Sequence, residues 1–472
     1  MNPTTTPCPH HAAHAHRAAP LQPPGSWPPG PPAGLTGWGL LRRMSRDILG
    51  ACAAWRRDHG DLVHLRIWPE HQIVVTAPHL VRELLVTHHD ALIRWERGVR
   101  VFSQLHGHSV LTAEGGAWKT KRQALQPVFS PKGVQSLIPV ITAATDAAFA
   151  GWRSDGIVPI ERAFNALGMD IILRTMFSSG GEGDAGAIAR AVHDMAVAAN
   201  AAMYWPASWP DWMPWKRRQR RAARLLERLI CGHIAARLAQ HQAGWPDDLL
   251  SRLLALHRDD PATWPLRAVR DDCMTGFMAG HETSAATLTW WSWCMAAHPA
   301  AQAAARAEVD AVLQGRAPTA ADLPRLTFLH QTLQETLRLY PAAPVLMTRR
   351  STAPLTLDGW QLPAGTLFAI PLPAMQHDAR WFDDPLAFKP ERFAPGEAAA
   401  PRGAFMPFGS GPRVCLGQHL ALAEMTVVTA MLLQRCTLNV PEGMAPPAPL
   451  FNISLRPATP LLLQLRARAS GQ

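Results

Sequence analysis

The spacing of apolar positions predicts a mainly helical chain with a few short strand pairs. Leu40, Leu41, Met44, Ile48 and Trp55 recur at helical intervals and predict a helix over residues 39–55. Residues 61–68 and 71–76 alternate apolar with polar positions around a Pro-containing turn, which predicts a β-hairpin. Trp118 and Arg122 lie four apart, so they share one helix face, between Gly115-Gly116 and the prolines at 127 and 131. Residues 137–200 are rich in Ala, Leu and Ile and read as helix, with a Gly/Ser/acidic break over 178–186. Residues 274–291 predict one long buried helix. Residues 300–313 and 326–339 predict two more, bounded by His298-Pro299 and by a Pro-containing break at 340–344. Residues 346–349 and 355–365 read as strands around a turn. Residues 418–433 read as an apolar helix, and 452–457 with 460–465 as a final hairpin.

Composition narrows the class. The 472 residues are 47% hydrophobic, enough for a large core and unlike a disordered chain. Residues 1–34 predict a flexible tail rich in Pro and His, and 35–472 a single domain. The first 32 residues hold no apolar run of signal-peptide or membrane-span length. Cys8, His10, His11, His14 and His16 lie there, and read either as an unordered tail or as a metal-binding cluster. A net charge of +10 favours an acidic partner surface, with no motif for nucleic acid beside it. Seven scattered cysteines without a C-x-x-C pair give no disulfide framework and fit a reducing cytoplasm. Residues 203–215 carry four Trp and three Pro. They read as the mouth of an apolar pocket, as a loop packed on the helices beneath, or as a membrane contact. The basic run at 216–221 reads as a solvated helix face.

Two stretches carry chemistry. In Phe408-Gly409-Ser410-Gly411-Pro412-Arg413-Val414-Cys415-Leu416-Gly417, a cysteine sits in a glycine-rich loop directly before a helix. Such a loop can aim several N–H groups at one sulfur, and the helix N-terminus adds positive potential; both favour thiolate. The residue could be a buried structural cysteine, a nucleophile, or an axial ligand for an iron porphyrin. Arg413 adds a charge suited to a carboxylate. In the long helix, Ala279-Gly280-His281-Glu282-Thr283-Ser284 interrupts an apolar run. Buried polar groups there need work or partners. Ala279 and Thr283 are i and i+4 and face one way, Gly280 leaves a gap for a small ligand, and His281 points elsewhere. Glu335 and Arg338 are i and i+3 on another helix.

Phe408, Gly411, Arg413, Cys415 and Gly417 match the haem-binding signature of the cytochrome P-450 haem-thiolate monooxygenases, and the chain resembles the soluble bacterial members of that family over roughly residues 35–466. The resemblance implies an α+β fold, mainly helical with small sheets, in which a triangular prism of helices surrounds a buried haem b. It implies that Cys415 ligates the iron, and that Trp118, Arg122 and Arg349 (rather than Arg350) bind propionates. Ala279 and Gly280 would lie at the distal face. Thr283 would hydrogen-bond iron-bound O2 or a neighbouring water, and Glu282 would feed protons inward. Glu335, Arg338 and Arg392 would form a buried ion network, and Phe277, Ala343, Val345 and Ile453 would touch substrate.

The implied activity inserts one oxygen atom of O2 into a lipophilic molecule such as a fatty acid, terpenoid or polyketide. Electrons would come from a separate ferredoxin or flavodoxin and its NAD(P)H reductase, docked near Lys119, Lys121, Arg122 and Arg413. The protein would be a cytoplasmic monomer without stable membrane insertion. The alternatives are a peroxygenase, an isomerase or dehydratase that does not use O2, and a haem sensor or carrier.

Overall fold

The molecule is built on one helix, Leu266–Ala297, 32 residues long and longer at both ends than the predicted segment. The computed structural model describes residues 20–23, 25–152, 156–180, 185–204, 213, 216–397 and 400–468. Pro265 precedes the helix and Pro299 follows it, so proline delimits both ends. Its hydroxyls bond back to its own carbonyls: Thr287 Oγ1 donates to Thr283 O at 3.0 Å and Thr289 Oγ1 to Ala285 O at 2.7 Å. Trp290 and Trp291 are fully buried, and each indole N–H has an acceptor. These are Leu455 O at 2.9 Å and Thr332 Oγ1 at 2.8 Å. Trp290 also stacks on Tyr340 at 4.0 Å. Two large indoles thus join the long helix to a second helix, Thr327–Leu339, and to a strand near the C-terminus.

Helix Ile160–Phe177 lies along the long helix, and missing Cβ atoms permit the approach. A Cβ on Gly276 would sit 2.0 Å from the Met176 methyl, and one on Gly280 2.5 Å from Ile172 Cδ1. On its Cβ side Gly280 is closed by Ile172, so that side of the glycine serves helix packing. One expectation is corrected, that for Phe277. It has no accessible surface and packs among Met169, Ile172, Leu173 and Leu125, with the His281 ring 5.5 Å away. It belongs to the core and not to a pocket wall.

Among the described residues twelve strands form four sheets. The largest has the order β1 (Leu62–Ile67), β2 (Glu70–Val75), β8 (Leu367–Pro371), β5 (Val345–Ser351) and β3 (Leu92–Arg94). β1 and β2 are the predicted hairpin, in the register Leu62↔Val75 to Ile67↔Glu70. Alternation sends Val63, Leu65 and Val74 against helix Trp38–His59, and Leu62, Ile73 and Val75 into the opposite core. β6 (Leu355–Leu357) and β7 (Trp360–Leu362) form a small hairpin. The predicted final hairpin is wrong in its pairing. β11 (Ser454–Pro457) pairs with β10 (Pro449–Asn452), while β12 (Leu462–Ala467) lies between β4 (Gly156–Pro159) and β9 (Cys436–Asn439).

The predicted tail is fastened in its later part. Gln22 N–H donates to Gly359 O, His64 N–H donates to Pro29 O, and Trp27 stacks on His64 and His71 at 4.5 and 4.4 Å. Cys8 and the histidines at 10, 11, 14 and 16 lie outside the described residues, as does most of the Trp-rich 203–215 stretch.

Glu335 and Arg338 are fully buried, with Nε to Oε2 at 2.6 Å and Nη2 to Oε1 at 2.7 Å. Arg338 also donates to Gln376 O and Pro385 O, while Glu335 accepts from Lys389 N–H and from Arg392 Nε. Arg392 in turn reaches Asp384 O at 2.9 Å. The trio ties the helix Thr327–Leu339 to the irregular chain that leads to the cysteine loop.

Candidate active site

The cysteine loop closes on itself before the helix Gln418–Arg435 begins. Cys415 N–H donates to Phe408 O at 2.9 Å. Gly411 takes φ 72°, and a Cβ there would lie 2.2 Å from Leu85 O, so only glycine fits the turn. The N–H groups of Gly417 and Gln418 point at the sulfur, and Arg122 stands near it. Burial nevertheless outweighs them and pushes the Cys415 thiol up. The loop donors and Arg122 act toward thiolate, as expected from the sequence, and oppose that desolvation. Cys415 as a residue is still exposed, so the loop presents it to open space rather than to packed core.

Beside the loop, four guanidiniums lie near one another, and two of them, Arg94 and Arg413, pair with the carboxylate of Glu114. Arg413 donates to Ala113 O at 2.9 Å and to Glu114, and lies over the Trp118 ring at 3.9 Å. Arg122 donates to Val414 O at 3.0 Å. Arg349 is on β5 and bonds Met347 O, whereas its neighbour Arg350 is paired with Glu70 and Glu96. Burial, with Arg94 and Arg413 beside it, pushes Arg349 down to about 9. Burial, then Arg94, pushes Arg413 down to about 10. Arg94 itself is buried, lowered by burial, and paired with Glu114 at 3.4 Å. Arg94 and Glu114 escaped the sequence reading. Neither sits in a motif, and only their convergence in space gives them meaning.

On the long helix, Ala279 is exposed and Thr283 half-exposed although most of their neighbours are buried. Thr283 Oγ1 donates to Ala279 O at 2.9 Å, which leaves its oxygen free to accept from a ligand. Glu282 points elsewhere, into a buried cluster with Ser454 and Arg456 on β11. His281 is buried and bonds Phe277 O at 3.2 Å. Ala343 is exposed between buried Ala342 and Pro344, and Ala342 O accepts from Leu455 N–H at 2.9 Å. That bond brings the β10–β11 hairpin beside Ala343 and Val345. Ile453 forms its tip at φ 66°, an outlier for a β-branched residue.

The comparisons with known proteins agree on one family. The model of the family described as Cytochrome P450 matches residues 28–465. The cyclooctat-9-en-7-ol 5-monooxygenase of Streptomyces melanosporofaciens is 32% identical over 421 residues, 84% of this chain and 89% of that protein.

The chain belongs to the cytochrome P450 family.

Other members are similar at comparable levels. Cytochrome P450 734A4 of Oryza sativa subsp. japonica is 31% identical over 452 residues, 87% of this chain and 83% of its own. The cyclooctatin synthase of Streptomyces melanosporofaciens is 29% identical over 442 residues, 90% and 93%. As a P450 the protein is an oxidoreductase of the monooxygenase type with a haem iron cofactor, and its mainly helical α+β architecture is the family's. The side chains fit a haem. Cys415 is exposed, and beside it lies a cluster of four guanidiniums, two of them paired with Glu114, whose excess positive charge anionic propionates would balance. The expected partner-docking patch fits less well. Lys121 pairs with buried Asp272 and lies over Trp264, and Arg122 and Arg413 turn inward, so only Lys119 of the four is exposed. Among the described residues no helix is long and apolar enough to cross a membrane.

Proposed function

We propose that this P450 is a haem-thiolate monooxygenase that inserts one oxygen atom of O2 into a lipophilic substrate. The observation that carries the reading is the juxtaposition of the Cys415 sulfur with the cluster of Arg94, Arg122, Arg349 and Arg413. Haem b bound there supplies the oxygen chemistry, and a thiolate ligand favours O–O cleavage. Cys415 would ligate the iron. Arg94, Arg122, Arg349, Arg413 and Trp118 hold the propionates, with Phe408 and Gly411 shaping the loop beneath. Ala279 leaves room beside the distal face. Thr283 positions a water or ligand oxygen, and Glu282 transfers protons toward it. Ala343, Val345 and Ile453 contact the substrate.

Electrons come from a separate ferredoxin or flavodoxin with its NAD(P)H reductase, and the protein works as a cytoplasmic monomer. Two of the relatives are named for cyclooctat-9-en-7-ol and cyclooctatin, which supports a largely apolar substrate.

The test is Thr283→Ala, assayed with a surrogate redox pair. O2-driven product formation falls and released peroxide rises, while substrate binding is retained. If turnover proceeds unchanged, or is driven only by added peroxide in the wild type, the monooxygenase reading is overturned.

A further inference from the structure

Glu282 is largely buried, and a charged path leads from it toward the surface. Along β11, Ser454 and Arg456 are i and i+2 and so lie on one face. Ser454 Oγ donates to Glu282 Oε1 at 2.8 Å and accepts from Arg456 Nε at 3.0 Å. Arg456 Nη2 donates to the same oxygen, Oε1. The other end of that guanidinium, Nη1, lies 3.5 Å from Glu161 Oε1, in the first turn of the helix Ile160–Phe177. Side-chain exposure rises outward along this line, from 7% at Glu282 through 16% at Arg456 to 25% at Glu161.

Two carboxylates therefore share one guanidinium in a largely buried place. Their formal charge is one negative, and a single added proton neutralises the trio. His193 faces Glu161 from the neighbouring helix, and His281, buried beside Glu282, is held below its ordinary value by that burial. Burial holds the Glu161 carboxyl above its ordinary range, with Arg456 and His193 opposing. The two donors on Glu282 both occupy Oε1, which leaves Oε2 as the oxygen to take up and release a proton.

We propose that Glu161, Arg456 and Glu282 form the proton inlet of this P450, with Arg456 as the positioning residue between an outer and an inner carboxylate. A proton enters at Glu161 from solvent. The guanidinium then shifts its weight toward the carboxylate that remains ionised, and the proton passes by way of water to Glu282 Oε2. Glu282 gives it up to the Thr283 side and returns to its pair with Arg456. The inference rests on the role of Glu282 given above, and it adds the route by which that residue is reloaded and the side of the molecule from which protons come.

The experiment uses haem-loaded wild type, Arg456→Met, Arg456→Lys, Arg456→Met/Glu282→Gln and Glu161→Gln. Each is first checked for the thiolate-type absorption of its reduced carbon monoxide complex. If the wild type lacks that absorption, the function proposed above fails, independently of the inlet. Given that absorption, infrared difference spectra are recorded at neutral pH. Arg456→Met shows a new protonated-carboxyl band, because a buried carboxylate that loses its partner takes up a proton. The band vanishes in the Glu282→Gln double variant and is absent in Arg456→Lys. Glu161→Gln leaves the infrared signal of Glu282 unchanged but raises the solvent deuterium isotope effect on turnover and the peroxide released. No new band in Arg456→Met overturns the positioning role, and an unchanged isotope effect in Glu161→Gln overturns the outer half of the route.

Discussion

Glu424 offers a quantitative test of how the site's two walls are joined. It lies on the helix that follows Cys415 and is 2% exposed. Its Oε2 accepts from Ser284 Oγ at 3.1 Å, on the long helix one residue after Thr283, and its Oε1 has no partner. Burial pushes the carboxyl up to about 8 from an ordinary 4.5. The fold therefore prefers the protonated form. The contribution of this group is fully present below the unfolded value and is lost as pH rises from there through the folded one. Over that window each pH unit costs about 1.4 kcal/mol, so between about pH 6 and 8 the loss is about 2 kcal/mol. Glu424→Gln keeps the shape and an acceptor for Ser284 but cannot ionise. Unfolding of both proteins, haem-loaded, followed by circular dichroism at both pH values, gives a double difference in which every other titrating group cancels. The variant should lose less stability than the wild type by about that 2 kcal/mol. Identical pH dependence in the two proteins would refute the reasoning, since it would mean that the buried acid does not titrate across this range.

Two further outcomes follow from packing. Gly280→Ala forces a methyl against Ile172 Cδ1 and should destabilise by about 1–3 kcal/mol, as overpacking does. Adding Ile172→Val, which removes that atom, should recover most of the loss in a thermal melt. Glu335→Ala leaves the Arg338 guanidinium buried without its carboxylate and should cost about 3–5 kcal/mol. The readout is the yield of folded, haem-loaded protein.

What could be read from the sequence was what lies close together along it. The cysteine loop puts its ligand, its turn glycines and its arginine within ten residues, so one stretch declares the chemistry. The shared face of Ala279 and Thr283 follows from a spacing of four. The same arithmetic misled at Phe277, because a helix that is apolar all round does not say which face meets another helix and which meets a cavity. Arg94, Glu114, Ser454, Arg456 and Glu424 act on partners far away in the chain, and a lone charge between apolar residues gives no sign of its partner. The last sheet failed for a related reason. Prolines at 441, 446, 447 and 449 make the approach to β10 look like coil, and the neighbours of β12 lie in distant parts of the chain.

The central claim is that the Cys415 sulfur is the protein's ligand to haem iron. Its most direct test is the absorption spectrum of the reduced protein under carbon monoxide, wild type against Cys415→Ser. The wild type should show the long-wavelength Soret band of a thiolate-ligated haem, and the variant should lose that band or the haem itself. The same long-wavelength band in Cys415→Ser, or its absence from freshly prepared, active wild type, would contradict the account.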